Sequence, residues 1–292
     1  MDAVTSPPDA TAWPAPAKLN LMLRIVGRCP DGYHLLQTVF QFLDYSDWLW
    51  FDRRDDGVIE RQGEVAGVAP DADLIVRAAR SLQQATGTRL GATIRIVKRL
   101  PMGGGLGGGS SDAATALVAL NEYWRTGLTL AELAELGLRL GADVPVFVHG
   151  RAAWAEGVGE QLTPITLDEP WFLVLVPACS IATGAVFSDP ELTRNSPLLT
   201  IADFAKGMGG NDCAAVVYRR YPQVAAAIAW LERYGDARLT GTGAGVFAAF
   251  PDVVNARQVL RQLPAGWSGF IARGHNCSPL HDRLAQARRE SV

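Results

Sequence analysis

An α+β fold in two lobes is what this sequence predicts, and three observations carry that reading. Segments that alternate like strands are interleaved with segments of helical period. The strand-and-helix character of the first half returns after about residue 156, with no repeat of fixed period that would indicate a solenoid. The chain has 292 residues, 48% hydrophobic and 20% charged, enough for one large or two ordinary domains. A chain of this size buries roughly 70–75% of its unfolded surface. The organisation expected is a loose Pro/Ala/Asp-rich arm over 1–13, lobes over 14–158 and 159–284, and a polar tail over 285–292.

The elements follow in order. LNLMLRIVG, from Leu19 on, is apolar, bounded by Pro16 and Gly27, and reads as a strand. TVFQFLDY and DWLWFDRR follow as two strands parted by Asp and Ser. DADLIVRAARSLQQATG is a helix: Asp73 can cap it, Ile75, Ala78, Ala79 and Leu82 line one face, and Gly87 can end it. GATIRIVKRL alternates as a strand. After a glycine run, helical spacing starts at Ser111 or Asp112 and continues through Ala113, Leu117, Leu120 and Trp124. Thr129 with Glu132 forms a capping box for the next helix, Gly141 can end it, and VPVFVHG reads as a strand. WFLVLVP is a strand, and helices follow around DCAAVVYRRYPQVAAAIAWLERYG. A second glycine cluster, TGTGAGVFAAF, precedes a last helix and strand.

Composition excludes several classes. With 27 Lys+Arg against 30 Asp+Glu, the chain has no polycationic field, so no nucleic-acid partner is expected. The longest apolar stretch, Trp171 to Val176, is far short of the roughly 20 residues of a membrane helix. The first residues have neither a basic start nor an apolar core, so no secretory signal is read there. The four cysteines are scattered with no CxxC pair, as suits reduced thiols in the cytoplasm. His149, His275 and His281 show no metal-ligand spacing, and no fixed metal site is predicted.

The chemistry concentrates in the glycine run. Gly103, Gly104, Gly105, Leu106, Gly107, Gly108, Gly109, Ser110, Ser111 and Asp112 lie between a strand and a helix. Six glycines remove the Cβ atoms that would keep backbone N–H groups from an anion, and they allow positive φ. The following helix aims its N-terminal amides and positive dipole end at the same place, and two serines add hydroxyls, so the segment is a phosphate cradle. A dinucleotide fingerprint matches at Gly103, Gly105 and Gly108, but no acidic residue ends a second strand roughly 20 residues on. A Walker A loop needs a Lys before its Ser, where Gly109 stands, and the HRD and DFG signatures of protein kinases are absent. A tight turn or hinge is the bland alternative. Two further features stay open on residue type alone. Asp143, between Gly141 and Pro145, is either a catalytic base or a turn-stabilising cap. Thr240 to Gly245 is either a second phosphate-facing loop or a tight β-turn.

Taken together, PAKLNL, DGYHLLQT, P-x-GGGLGGGSSDAA, LGADVPVF, TGTGAGVF and SPLH resemble the GHMP kinase superfamily. Within it the likeness is to the branch acting on cytidine-diphosphate-methylerythritol in non-mevalonate isoprenoid biosynthesis, and it runs from Pro14 to about His281. The resemblance implies a two-lobed fold with the active site in the cleft. It implies an ATP-dependent kinase that phosphorylates the 2-hydroxyl of that alcohol, with Mg²⁺ carried by the nucleotide, as a monomer or weak homodimer. It assigns Asp143 as base, paired with Lys18, and gives Asn20 to the substrate polyol. Tyr33, His34 and Phe187 are assigned to the cytidine, with Thr183, Thr240 and Gly241 also at the substrate. ATP would be held by Pro101, Met102 and the run from Gly103 to Ser111, with Lys98 and Asp73 nearby. The chain departs from the pattern at Asp73, where relatives carry Asn near the adenine and where a carboxylate has no N–H to donate. It departs again at Ala182 and Gly184, where relatives carry prolines. The rivals are a GHMP kinase with another alcohol, an NAD-binding oxidoreductase, and a non-catalytic nucleotide-binding protein.

Overall fold

The computed structural model describes residues 8–30, 32–63 and 72–290. Its frame is an antiparallel pair, β1 (Trp13–Arg28) and β2 (His34–Arg54), joined by a turn in which Gly32 takes φ +95°. β2 is one strand of 21 residues rather than the two expected. The polar residues that read as a break are satisfied by other parts of the chain. Asp44 Oδ1 accepts the Arg273 N–H at 2.7 Å, Asp47 Oδ1 accepts the Leu100 N–H at 2.7 Å, and Ser46 sits opposite Pro16. β1 also starts earlier than expected and runs through Pro14 and Pro16, with a register shift between Pro16 and Lys18 where a missing N–H is tolerated. Trp13 is fully buried and donates to the Tyr123 hydroxyl at 3.1 Å, and Asp9 accepts from the Trp50 indole at 2.9 Å. The end of the expected arm is therefore anchored, while residues 1–7 lie outside the described residues.

The other strands are β3 (Ile59–Gln62), β4 (Gly91–Val97), β5 (Ala153–Glu156), β6 (Gln161–Pro164), β7 (Trp171–Leu175), β8 (Ala237–Leu239), β9 (Val246–Phe250) and β10 (Gly269–His275). Among the described residues they form a sheet in the order β3-β4-β2-β10-β7-β9-β8, with β1 and β5 on β2 and β6 on β5. Among the described strands only β3 and β4 pair in parallel. β10 joins the two halves, pairing with β2 through Gly274 and His275 and with β7 through Gly269 to Arg273.

Among the described residues four helices cover the first half. α1 (Leu74–Thr86) is capped by Asp73, which accepts the Ile75 N–H at 2.8 Å, and ends on left-handed Gly87. α2 (Gly108–Tyr123) starts three residues before Ser111, inside the glycine run. Glycine is tolerated there because first-turn amides have no intrahelical partner to lose. α3 (Leu130–Leu138) has the complete Thr129–Glu132 capping box and stops before Gly141. α4 (Val144–His149) occupies the segment read as a strand. Pro145 sits in its first turn and Gly150 closes it at φ +63°; the β-branched run is too short to show a period. Val144 and Val146 to Val148 pack with Leu117, Leu120 and Leu133 in a core shared with β1, β2 and β4.

The second half has its own core. There α5 (Thr183–Phe187), α7 (Ala214–Arg220), α8 (Pro222–Leu231) and α9 (Val253–Leu260) pack on β7, β8 and β9, while α6 (Ile201–Ala205) lies outside it. α10 (Pro279–Glu290) corrects the expected polar tail. Leu280, Leu284 and Ala287 enter the first core, so the chain returns to the half where it began. Residues 291–292 lie outside the described residues. Among the described residues no helix is long and apolar enough to cross a membrane.

Candidate active site

A cavity of about 780 Å³ opens where β1, β2, the glycine run, the start of α4 and α5 meet. Lys18 stands at its base, on β1, with its side chain only 3% exposed. Its ammonium donates to Asn20 Oδ1 at 2.5 Å and to the Gly105 carbonyl at 3.0 Å, and lies 3.3 Å from Asp143 Oδ2. Three acceptors for three N–H groups leave it fully satisfied and fixed. Asn20 is held in turn: its amide donates to Thr38 Oγ1 at 2.8 Å, and Thr38 donates to the Met22 carbonyl at 2.5 Å. Asn20 thus lines the cavity with one amide hydrogen and one oxygen lone pair left for a ligand.

Asp143 precedes α4 in cap position, yet its side chain makes no capping hydrogen bond, and it is 35% exposed. This removes the bland reading of the residue as a helix cap. Its carboxylate faces Lys18 and the cavity instead.

The glycine run bends over this pair. Gly103, Gly105 and Gly107 all take positive φ near +70°. A Cβ on Gly107 would stand 2.7 Å from the Phe147 ring and 3.1 Å from Lys18 Cε. Gly107 caps α2 with no side-chain bond, so the first-turn amides stay available for an anion. Gly105, Gly107 and Ser110 line the cavity. Ser111 is buried behind it, its hydroxyl without a partner. Met102 is exposed, and with Pro101, Gly103 and Gly104 it lies outside the cavity wall.

The second glycine cluster grips the first, backbone to backbone. The Ala244 N–H donates to the Gly103 carbonyl at 2.9 Å and the Gly245 N–H to the Gly104 carbonyl at 3.1 Å. Thr240 is fully buried behind the wall, where Oγ1 accepts the Asn20 N–H at 2.9 Å. Gly241 and Thr242 do reach the cavity, and Thr242 shares a hydroxyl contact of 2.9 Å with Thr183.

The far end is aromatic and basic. His34 stacks on Phe187 with centroids 4.9 Å apart and planes at 26°, and Tyr33, 64% exposed, stands at the rim. Arg28 lines the same end. Burial, then the positive charges of Arg194 and Arg28, hold His34 below its ordinary range. Arg28, Thr38, Phe40 and Thr242 were missed from sequence. TGTGAG pointed at the last of these, whereas nothing in the strands marks the others.

Two residues assigned to the nucleotide are engaged elsewhere. Asp73 pairs with Arg61 at 2.5 Å, both side chains buried, besides capping α1. Lys98 is shared by Asp47 and by Asp112, the latter at 2.7 Å. Neither Asp73 nor Lys98 lines the cavity. Asp47 also collects the Leu100 N–H, whereas Asp112 Oδ1 is buried without a partner. Burial pushes the Asp112 carboxyl up to about 8, and the Lys98 ammonium pulls against it. Between the ordinary carboxylate range and that value, the folded chain binds a proton that the unfolded chain has lost. Stability then falls as pH rises through the window. Asp112→Asn removes this slope. The melting temperature of the variant relative to the parent should therefore rise as pH goes from about 5 to about 8. A constant margin would place Asp112 as ionised throughout.

Among the described residues no group of three or more His, Cys, Asp or Glu side chains could hold a metal ion. At the cavity the oxygens of Asp143 and Ser110 suit an ion that keeps most of its shell as phosphate and water.

Comparison with known proteins places the chain. Residues 73–151 match the model for the GHMP kinases N terminal domain, and residues 196–269 that for the GHMP kinases C terminal. The 4-diphosphocytidyl-2-C-methyl-D-erythritol kinase of Pseudomonas syringae pv. syringae (strain B728a) is 58% identical over 271 residues, covering 93% of this chain and 96% of the relative. The enzyme of that name from Alkalilimnicola ehrlichii (strain ATCC BAA-1101 / DSM 17681 / MLHE-1) is 59% identical over 272 residues, covering 93% and 94%. A crystal structure of 4-(cytidine 5'-diphospho)-2C-methyl-D-erythritol kinase superposes with a TM-score of 0.79 at 31% identity, covering 90% of this chain and 98% of the other. A mevalonate kinase structure shares the fold, with a TM-score of 0.67 at 14% identity over 91% of this chain and 99% of the other. With both domain models matched and relatives above 55% identity along nearly its whole length, the chain belongs to the GHMP kinases, and within them to the 4-diphosphocytidyl-2-C-methyl-D-erythritol kinase family.

Proposed function

We propose that the chain transfers the γ-phosphoryl group of ATP to the 2-hydroxyl of 4-diphosphocytidyl-2-C-methyl-D-erythritol, with Asp143 as general base. One observation carries the reading: the Lys18–Asp143 pair lies in a single cavity between the glycine run and the His34–Phe187 stack. Residues 14–158 together with α10 form one lobe around it, and the second core between residues 159 and 278 forms the other. The amides at the start of α2 take the triphosphate, whose negative charge the helix terminus and the glycine backbone accommodate. Asp143 accepts the hydroxyl proton as the oxygen attacks phosphorus. Lys18 holds that carboxylate in place, and its positive charge offsets charge on the transferring group. Magnesium arriving with the nucleotide neutralises phosphate charge when bound. The aromatic end takes the cytosine, by stacking and by the His34 ring.

A coupled ADP-release assay with Mg²⁺-ATP and four alcohols tests this: cytidine-diphosphate-methylerythritol, mevalonate, homoserine and galactose. Turnover with the first alone is expected. Turnover with another alcohol would keep the base and the cradle but discard the cytidine site. ATP binding with no turnover of any would leave a non-catalytic nucleotide binder.

A further inference from the structure

Arg194 lies on the loop after α5 and was not marked by the sequence. Its guanidinium makes four contacts at the aromatic end of the cavity. Nη1 donates to the Leu192 carbonyl at 3.0 Å, and Nη2 donates to the carbonyls of Phe187 at 2.9 Å and Asp189 at 2.7 Å. Nε donates to His34 Nε2 at 3.2 Å. A guanidinium has donors and no acceptor, and it does not lose its proton. His34 Nε2 must therefore carry the lone pair, and the proton of the neutral ring must sit on Nδ1. The same guanidinium fixes the Phe187 carbonyl, and thus the residue on which His34 stacks.

We propose that Arg194 is the positioning residue of the base-binding end, locking His34 as the neutral Nδ1–H tautomer, flat on Phe187, so that the site offers one defined N–H donor to the acceptor edge of a pyrimidine. This deepens the functional reading above and rests on it for the identity of the base. The low proton affinity of His34 agrees, since protonation would aim a second N–H at the Arg194 donor. Arg194 is not the loop's sole anchor. Asp189 is held by Arg219 at 2.8 Å and Arg220 at 3.3 Å, and the Ser196 N–H donates to the Ile25 carbonyl at 3.0 Å. The loop thus stays tied on both sides of Arg194 when that side chain is removed.

The test uses the full chain with ¹⁵N-histidine. Near neutral pH, long-range ¹H–¹⁵N spectra of the parent should show His34 as the Nδ1–H tautomer, its signals assigned with His34→Asn. An Nε2–H or charged ring in the parent overturns the proposal, whatever the alcohol turned over. In Arg194→Met the His34 signals should move toward a tautomer mixture. KM for the cytidine-diphosphate alcohol should rise by roughly tenfold, with kcat and the ATP KM little changed. Arg194→Lys should not rescue, because one ammonium cannot span the three carbonyls and the ring. An unchanged tautomer, an unchanged KM, rescue by Lys, or a parallel loss of ATP affinity and melting temperature would each overturn it. A parent that turns over none of the cytidine-bearing alcohol, but shows the expected tautomer and its loss in Arg194→Met, would instead sink the functional reading alone.

Discussion

Asp143→Asn is expected to lower turnover by roughly 10³-fold, within the range for removal of a general base, while KM for ATP changes by less than about threefold. Asn keeps the shape of the side chain but cannot accept the hydroxyl proton. The fold should not notice, because Asp143 caps nothing and its one ion pair, to Lys18, is partly exposed. Lys18 is buried, but Asn keeps an oxygen that can accept its N–H and leaves its other two acceptors in place, so the melting temperature should stay within a few degrees of the parent. Lys18→Met strips three acceptors of their donor at once and should cost both turnover and stability. In the double variant the loss in turnover should fall short of the product of the single losses, since the two groups act as a unit. Near-normal turnover in Asp143→Asn, measured by steady-state ADP release, would remove Asp143 from the chemistry.

Much of the architecture was legible because short-range signals agreed with the long-range packing. Asp73 and Gly87 bracket α1 as their residue types predict, and Thr129 and Glu132 close the box that opens α3. The failures share a cause, which is tertiary context overriding local pattern. VPVFVH carries strand propensity, but a proline in its first turn, a left-handed glycine after it and apolar partners on α2 and α3 hold it as a helix. Asp44 to Asp47 interrupts the apolar pattern of β2, yet those acids are satisfied by residues more than 50 and 200 positions away. The site shows the same division. The resemblance anticipated that Lys18, Asp143, Asn20, Tyr33, His34, Thr183 and Phe187 would share one cavity, and they do. The burial of Thr240, the capture of Lys98 by Asp47 and Asp112, and the pairing of Asp73 with Arg61 depend on contacts across the chain that no local spacing encodes. Asp73 shows the consequence most plainly. Its carboxylate cannot donate, and the structure turns it to a guanidinium rather than to the cavity.

Gly105→Ala is expected to disable the protein through the crossing of its two glycine loops. Gly105 takes φ +70°, which costs an L residue roughly 1–2 kcal/mol. The added Cβ would stand 2.3 Å from the Thr240 carbonyl oxygen, which is backbone and has no rotamer to yield. Relief requires the loops to part, and their separation would cost the bonds from Ala244 to Gly103 and from Gly245 to Gly104. It would also shift the Gly105 carbonyl, an acceptor of the Lys18 ammonium, and with it the placement of Asp143. The combined loss should be on the order of 3–5 kcal/mol, strain and overpacking together, with turnover falling in parallel. Gly245→Ala attacks the same crossing from the other side, where its Cβ would lie 2.3 Å from the Gly104 oxygen, and should behave alike. Gly109→Ala is the control. It adds a Cβ 3.5 Å from Leu74 Cδ1 within the first turn of α2, without positive φ, and should leave the melting temperature level or slightly raised. Denaturant titration of the three variants separates the cases. A Gly105→Ala protein as stable as Gly109→Ala, with normal KM for ATP, would mean that the loops do not need their close approach. The glycines would then serve the phosphate alone.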